Sequence, residues 1–208
     1  MAVSQAKQNI LKKIREALAH PVPLPFPQSE GAQSPFEMPD EDDTVAFATR
    51  FTALQGKFAF CEDVRQLTDD LVKLAREKGW HKIYLDGQGP KELFAGKIEA
   101  FTDLAGCDAA VTYCECLVAR TGSIVLSSRE GGRSSSAYAP VHVCIAYADQ
   151  LLPDLKEALV YLKKKYPGGL PSSVNFATGP SRTADIEKTL VTGVHGPKEV
   201  YCFLVDAR

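Results

Sequence analysis

The sequence predicts an α/β fold: a largely parallel sheet with helices on both faces, preceded by an N-terminal helix and a Pro-rich arm. Three observations lead there. Apolar strand-like runs alternate with amphipathic helical patterns from residue 44 onward, the order produced by parallel strands joined through helical crossovers. One run, Val141 to Tyr147, is apolar throughout except for His142, which suits a strand covered on both faces. Capping residues and glycines bracket the helical patterns, so the alternation is one of discrete elements.

Composition bounds the function classes. The chain has 208 residues, enough for one domain and an appendage with a real core. It is 45% hydrophobic and 24% charged with a formal charge of -2, so no basic excess points to nucleic acid or an acidic membrane surface. No apolar run is long enough to span a bilayer, and the amino terminus lacks the apolar core and cleavage site of a signal peptide, so a cytoplasmic location is expected. The six cysteines are expected to be reduced and mostly buried. Cys114-Glu115-Cys116 matches neither zinc nor iron-sulfur spacing, and no flavin or dinucleotide signature occurs; neither a metal nor a cofactor is expected.

In chain order, Ile10, Leu11, Ile14 and Leu18 recur among Lys and Arg between Ser4 and Ala19, giving a helix with one apolar stripe. Pro21, Pro23, Pro25 and Pro27 then force an extended segment. Residues 1–43 therefore read as an arm ending in the acidic run Asp40 to Asp43, and 44–208 as the domain. The arm either folds back on its own domain or packs on a second subunit to make a homodimer; both readings stay open. The acidic run favours the start of a helix carrying Phe47, Phe51 and Leu54. A strand from Phe58 to Phe60 follows, then a helix capped by Asp63 with Val64, Leu67, Leu71, Leu74 and Ala75 on one face, closing at Gly79. Lys82 to Leu85 reads as a strand.

From Lys91 the pattern gives a short helix around Leu93 and Phe94 and a strand near Ile98 to Phe101. Ala109 to Thr112 reads as a strand, Cys114 to Arg120 as a turn or short helix, and Ser123 to Leu126 as a clear strand. The loop Arg129 to Ser136 is rich in Gly, Ser and Arg, a composition shared by simple mobile loops. His142, isolated in its strand, reads as a satisfied structural histidine. Asp154 and Glu157 have capping-box spacing before a helix with Leu155, Leu159, Leu162 and Tyr166 on one face. Its three terminal lysines read as dipole complement and solubility. Ser173 to Ala177 and Glu199 to Val205 read as the last two strands.

Between those two strands lies Gly179-Pro180-Ser181-Arg182-Thr183-Ala184-Asp185-Ile186-Glu187, which reads as a strand, a tight turn and a helix start, the helix continuing to Gly193. Gly179 permits close approach to the main chain, Ser181 and Thr183 can cap, and exposed amides with Arg182 beside them make a seat for an anion. The plainer reading is a well-capped turn that holds nothing. His195-Gly196-Pro197 makes a second tight turn.

Taken together, Ala119-Arg120-Thr121-Gly122-Ser123-Ile124-Val125-Leu126, the GPSRTADIE run and Gly193-Val194-His195-Gly196-Pro197 resemble the LUD-domain family, and within it the small members that lack iron-sulfur cysteines. The resemblance covers nearly the whole chain, because such members also begin with a basic amphipathic helix and a variable linker. It implies a NagB/RpiA/CoA transferase-like three-layer sandwich. It further implies a role beside two partners, one an iron-sulfur protein with a LUD domain and the other a cysteine-rich redox subunit, in oxidising L-lactate to pyruvate. Two positions depart from the pattern: Arg120 stands where the family leads one to expect an acid, and Ser136 to Pro140 replaces a leucine- and proline-rich approach to the His142 strand.

Two functions follow as expectations. In the first, the chain is a non-redox component of a lactate-oxidising system that binds a small carboxylate or phosphate, or a partner, at the carboxyl edge of its sheet. The candidate ligand-binding residues are Thr121, Gly122, Ser123, Arg133, Gly179, Ser181, Arg182, Thr183, Asp185, His195 and Gly196. In the second, the chain is an enzyme in its own right acting on a carboxylate- or phosphate-bearing substrate, with His195 as the candidate catalytic base. Asp185 and Glu187, two apart on the expected helix start, point differently and are not a paired acid-base set.

Overall fold

The computed structural model describes residues 5–19, 41–129, 134–186 and 189–206, and the side chains of 184–191 lie outside that description. The chain divides into two compact units, residues 1–37 and 38–208. In the first, α1 (Gln5–Ala19) is the expected amphipathic helix, and its stripe of Ile10, Leu11, Ile14 and Leu18 is exposed. The Pro-rich segment expected after it lies outside the described residues.

The second unit opens with α2 (Asp43–Ala53). Asp42 caps it by accepting hydrogen bonds from the amides of Thr44 and Val45, which also hold its carboxyl below the usual range. β1 (Lys57–Cys61) leads to α3 (Val64–Lys78), whose cap Asp63 accepts from the Gln66 amide at 2.8 Å. Gly79 ends α3 in the left-handed conformation, φ 68, which a side chain would disfavour. Then come β2 (Ile83–Leu85), α4 (Gln88–Leu93), β3 (Ala100–Phe101), β4 (Ala109–Tyr113), β5 (Cys116–Val118) and β6 (Ser123–Ser127). The order continues through α5 (Ser135–Tyr138), β7 (Val141–Tyr147), β8 (Leu151–Leu152), α6 (Leu155–Lys165) and β9 (Val174–Ala177). β10 (Arg182–Ile186), β11 (Thr189–Thr192) and β12 (Glu199–Val205) complete it.

The central sheet has the order β1-β12-β7-β4-β2-β3, and every pairing in it is parallel. Alternate residues of its strands feed two cores. On one face Val143, Ile145 and Phe203 meet Leu67 and Leu71 of α3. Each such side chain contributes about 1.5–3 kcal/mol by leaving water. On the other face Cys144, Ala146, Cys202 and Leu204 meet Phe47 and Phe51 of α2, which stack at 5.4 Å, and the inner residues of a second sheet. The fold is thus the expected α/β class, a largely parallel sheet flanked by helices.

The second sheet, of order β8-β5-β6-β9, was not foreseen. β6 pairs antiparallel with β5 and β9, and α6 covers the far face by placing Ala158 and Leu162 on Cys116, Val118 and Val125. The stretch read as a turn or short helix before Arg120 is therefore strand β5. Its three residues are wholly buried because Leu117 faces the central sheet while Cys116 and Val118 face α6. On α6 the cap is Asp154, accepting from the Leu155 amide at 2.6 Å. Leu159, expected on the buried face, is 46% exposed; Ala158 takes its place.

A further correction concerns the helix expected after Gly179. Arg182–Ile186 and Thr189–Thr192 pair as two antiparallel strands, with Arg182 opposite Thr192 and Thr183 opposite Val191. Thr183, Ile186, Thr189, Val191 and Thr192 are β-branched and favour extended backbone. The four-residue spacing of Ile186 and Leu190 mimicked a helical stripe.

Candidate functional site

The residues singled out by sequence fall into two neighbouring groups with different work. Thr121, Gly122 and Ser123 make the turn from β5 into β6, and Ser123 Oγ lies 2.7 Å from Thr121 Oγ1 and 2.7 Å from Thr178 Oγ1. This chain of hydroxyls is filled from within. Gly122 has φ 62, and a Cβ there would stand 2.6 Å from Phe51 N and 2.9 Å from the Arg50 carbonyl carbon. Gly179 has φ 79, and its Cβ would stand 2.5 Å from the carbonyl oxygen of Leu54. The Arg182 guanidinium donates to that same carbonyl. The Gly122 and Gly179 turns and Arg182 converge on the carboxyl end of α2, where the helix dipole favours a cation. The two glycines are there because the turns lie against helix backbone.

The second group begins at Ser181, which caps no helix. Its N–H donates to the Pro197 carbonyl at 3.0 Å, and its own carbonyl accepts from Gly193 N at 2.9 Å. A Cβ on Gly196 would come within 2.8 Å of the Ser181 Cβ, so the turn over 193–197 is pressed onto Ser181. Lys198 N donates to the Pro140 carbonyl at 2.8 Å and ties together the entries of β7 and β12. Beside this junction is a cavity of about 300 Å³ lined by Ala137, Tyr138, Pro140, Gly193, Val194, His195, Gly196 and Lys198. Its described lining carries a lysine, a histidine and a phenol, with no acidic side chain. Tyr138 is 75% exposed, so its ring forms an accessible wall.

The cavity sits at the amino edge of the central sheet, because the turn over 193–197 feeds the start of β12. The expected carboxyl-edge cleft is corrected by this placement. The rule applies to strands of a parallel sheet, whereas β9, from which the Gly179 turn leaves, belongs to the second sheet and pairs antiparallel with β6 there. A larger open hollow of about 530 Å³ runs along α3, but Lys73, Arg76 and Lys97 are balanced there by Asp69 and Glu77, and Lys97 is bonded to Asp69 at 3.1 Å.

The remaining candidates are placed as follows. Thr183 lies on β10 opposite Val191, and Asp185 lies on the same strand with its side chain outside the description. Arg133 and Glu187 lie outside the described residues. Arg120 directs Nε to Asp154 Oδ1 at 2.7 Å, joining the β5–β6 turn to the start of α6. His142 is buried and lies 2.9 Å from Thr112 Oγ1 through Nε2; burial pushes its pKa down to about 4, so the ring is neutral at physiological pH, as expected of a structural histidine. All six cysteines are free and buried, and burial raises the thiols of Cys61, to about 11, and Cys116, to about 12. Among the described residues, no group of three His, Cys, Asp or Glu is placed to hold a metal ion. No described helix is long and apolar enough to cross a membrane.

Sequence reasoning missed Lys198 and Tyr138, although Lys198 directly follows the GVHGP run and Tyr138 lies in the segment that departs from the family pattern. It also missed a buried polar cluster. Glu115, wholly buried, accepts from Ser127 Oγ, from Tyr166 OH at 2.8 Å and from Lys165 Nζ at 2.8 Å. Burial and the neighbouring carboxylate push the Tyr166 phenol up to about 12, so it remains a donor.

The geometry defines an α/β domain with a small cationic cavity at the amino edge of a parallel sheet. Residues 46–205 match the LUD domain, and the chain belongs to that family. A lactate utilization protein C of Bacillus licheniformis is 39% identical over 101 residues, 47% of this chain and 42% of that protein. A lactate utilization protein C of Bacillus subtilis is 36% identical over 104 residues, 49% of this chain and 43% of that one. The matched region thus spans less than half the length of these relatives. A DUF162 family protein of Deinococcus radiodurans, known from its crystal structure, shares the fold with a TM-score of 0.59 at 19% identity, over 78% of this chain and 96% of that one.

Proposed function

We propose that this protein is a lactate-utilization component that holds a small carboxylate in the cavity formed by Tyr138, His195 and Lys198, beside iron-sulfur partner proteins that carry the electrons. The cavity's charge carries the reading: Lys198 and His195 face a lining without an acidic group, which favours an anion over a cation or a neutral sugar. Ala137, Pro140 and Val194 supply an apolar wall that suits a short carbon chain behind the carboxylate. The names of the Bacillus relatives supply the physiological setting.

The same lining favours holding a ligand over turning it over. A histidine base is usually oriented by a third group, and the described lining offers no carboxylate to do so. Electron transfer is assigned to the partners.

The test is growth on L-lactate as sole carbon source after deletion of the gene, with complementation by the wild type and by Lys198→Ala, and affinity purification of the wild-type chain from lactate-grown cells. Loss of growth, rescue by the wild type alone and recovery of iron-sulfur proteins support the proposal. Unchanged growth with no such proteins recovered would remove it.

A further inference from the structure

The outer edge of the second sheet presents backbone hydrogen-bonding groups that no described strand takes up. β9 pairs with β6 on one side only, and no described strand lies on its other side. Ser128 N donates to Ser173 O, so residues 173, 175 and 177 turn toward β6. The antiparallel alternation then leaves the N–H and C=O of Val174 and Phe176 directed outward. Side chains alternate as well: Phe176 stands opposite Val125, a residue packed under α6, and so shares the α6 face with Val174. Val174 is packed against that core, whereas Phe176 is 39% exposed.

Natural edge strands are protected against self-pairing by charges, prolines or bulges. This one is not. Between Pro171 and Pro180 the sequence Ser172-Ser173-Val174-Asn175-Phe176-Ala177-Thr178-Gly179 carries no charge, so two copies meet without like-charge repulsion. The prolines bound the length that can pair.

From this we infer that β9 is a docking surface for β9 of a second copy, related by a two-fold axis at Asn175. In that register Val174 of one copy faces Phe176 of the other. The two outward residues exchange both backbone hydrogen bonds, and each half-exposed phenylalanine gains a valine as its cross-strand neighbour on the α6 face. The two four-stranded sheets become one continuous sheet of eight.

The experiment is sedimentation velocity of the full chain over a wide concentration range, with amide hydrogen exchange on the same samples. The wild type is expected to dimerise reversibly, with protection of the Val174 and Phe176 amides rising with concentration. Phe176→Lys removes two apolar pairs and adds charge at each, so it should weaken the dimer by about tenfold or more, while its own exposed position leaves the fold intact, as circular dichroism would show. A chain that stays monomeric overturns the inference. So does a dimer insensitive to Phe176→Lys, the result expected if copies associate through the exposed stripe of α1. Protection of the two amides independent of concentration also overturns it, and points to an extended segment of another kind on this edge.

Discussion

Arg182 and Leu54, 128 residues apart in the chain, meet where the guanidinium donates to the last carbonyl beyond α2. A residue whose type suggested anion binding is thereby occupied with a helix terminus. Arg182→Gln is expected to lower stability by about 1 kcal/mol, because the contact is charge-assisted but exposed. It should leave affinity for small carboxylates unchanged. Urea denaturation and calorimetric titration of the same preparation separate the two effects.

Gly122 makes a stronger demand. Its positive φ of 62 and its position against Phe51 N and the Arg50 carbonyl leave neither the conformation nor the space for a methyl group. Gly122→Ala should cost about 2–4 kcal/mol, the sum of backbone strain and overpacking. The midpoint of urea unfolding measures it, and a loss below about 0.5 kcal/mol, the size of an ordinary surface substitution, would refute this packing account.

His142 makes stability depend on pH. Its folded pKa of about 4 lies below the ordinary 6.5, so the unfolded chain binds the extra proton between those values. The contribution is fully present above 6.5 and is lost as pH falls toward 4. Between neutral pH and pH ~5 the loss should be about 2 kcal/mol. The carboxyls of Asp108 and Glu199, held low by hydrogen bonds from their neighbours, act in a more acidic window. Denaturation midpoints across that range should fall in the wild type and stay nearly flat in His142→Gln.

Lys165 is the counter-ion of wholly buried Glu115, and removing it leaves a charge in the interior. Lys165→Met should therefore cost about 3 kcal/mol, and the double variant with Glu115→Gln should recover most of that. Equal losses in the single and double variants would mean that the Lys165 charge contributes nothing to the cluster.

The fold was legible where local rules and tertiary packing agree. Asp42, Asp63 and Gly79 end helices where their caps indicate, and the apolar run through Cys144 is the buried strand it reads as. The second sheet escaped because β5 is three residues long and its alternation between Leu117 and its neighbours is hidden by all three being apolar. The strand pair after Gly179 escaped because Ile186 and Leu190 are spaced as in a helix. Of the candidate site, His195 and Gly196 do line a cavity, and Ser181 supports it from behind. Gly122, Gly179 and Arg182 instead pack on the end of α2, and Thr121 and Ser123 bond to each other in the adjoining turn, since a turn rich in Gly, Ser and Arg suits an anion and a helix carboxyl terminus alike. Only long-range contacts separate the two uses.

The central claim is that the cavity at Tyr138, His195 and Lys198 holds a small carboxylate. Titration of isotope-labelled protein with L-lactate and pyruvate, followed by heteronuclear NMR with inorganic phosphate as a comparison, tests it most directly. The account predicts saturable shifts of residues 137–140 and 193–198 with the carboxylates, abolished in Lys198→Ala. Shifts centred instead on Thr121 to Ser123 and Gly179 to Arg182, or no saturable shift with either carboxylate, would contradict it.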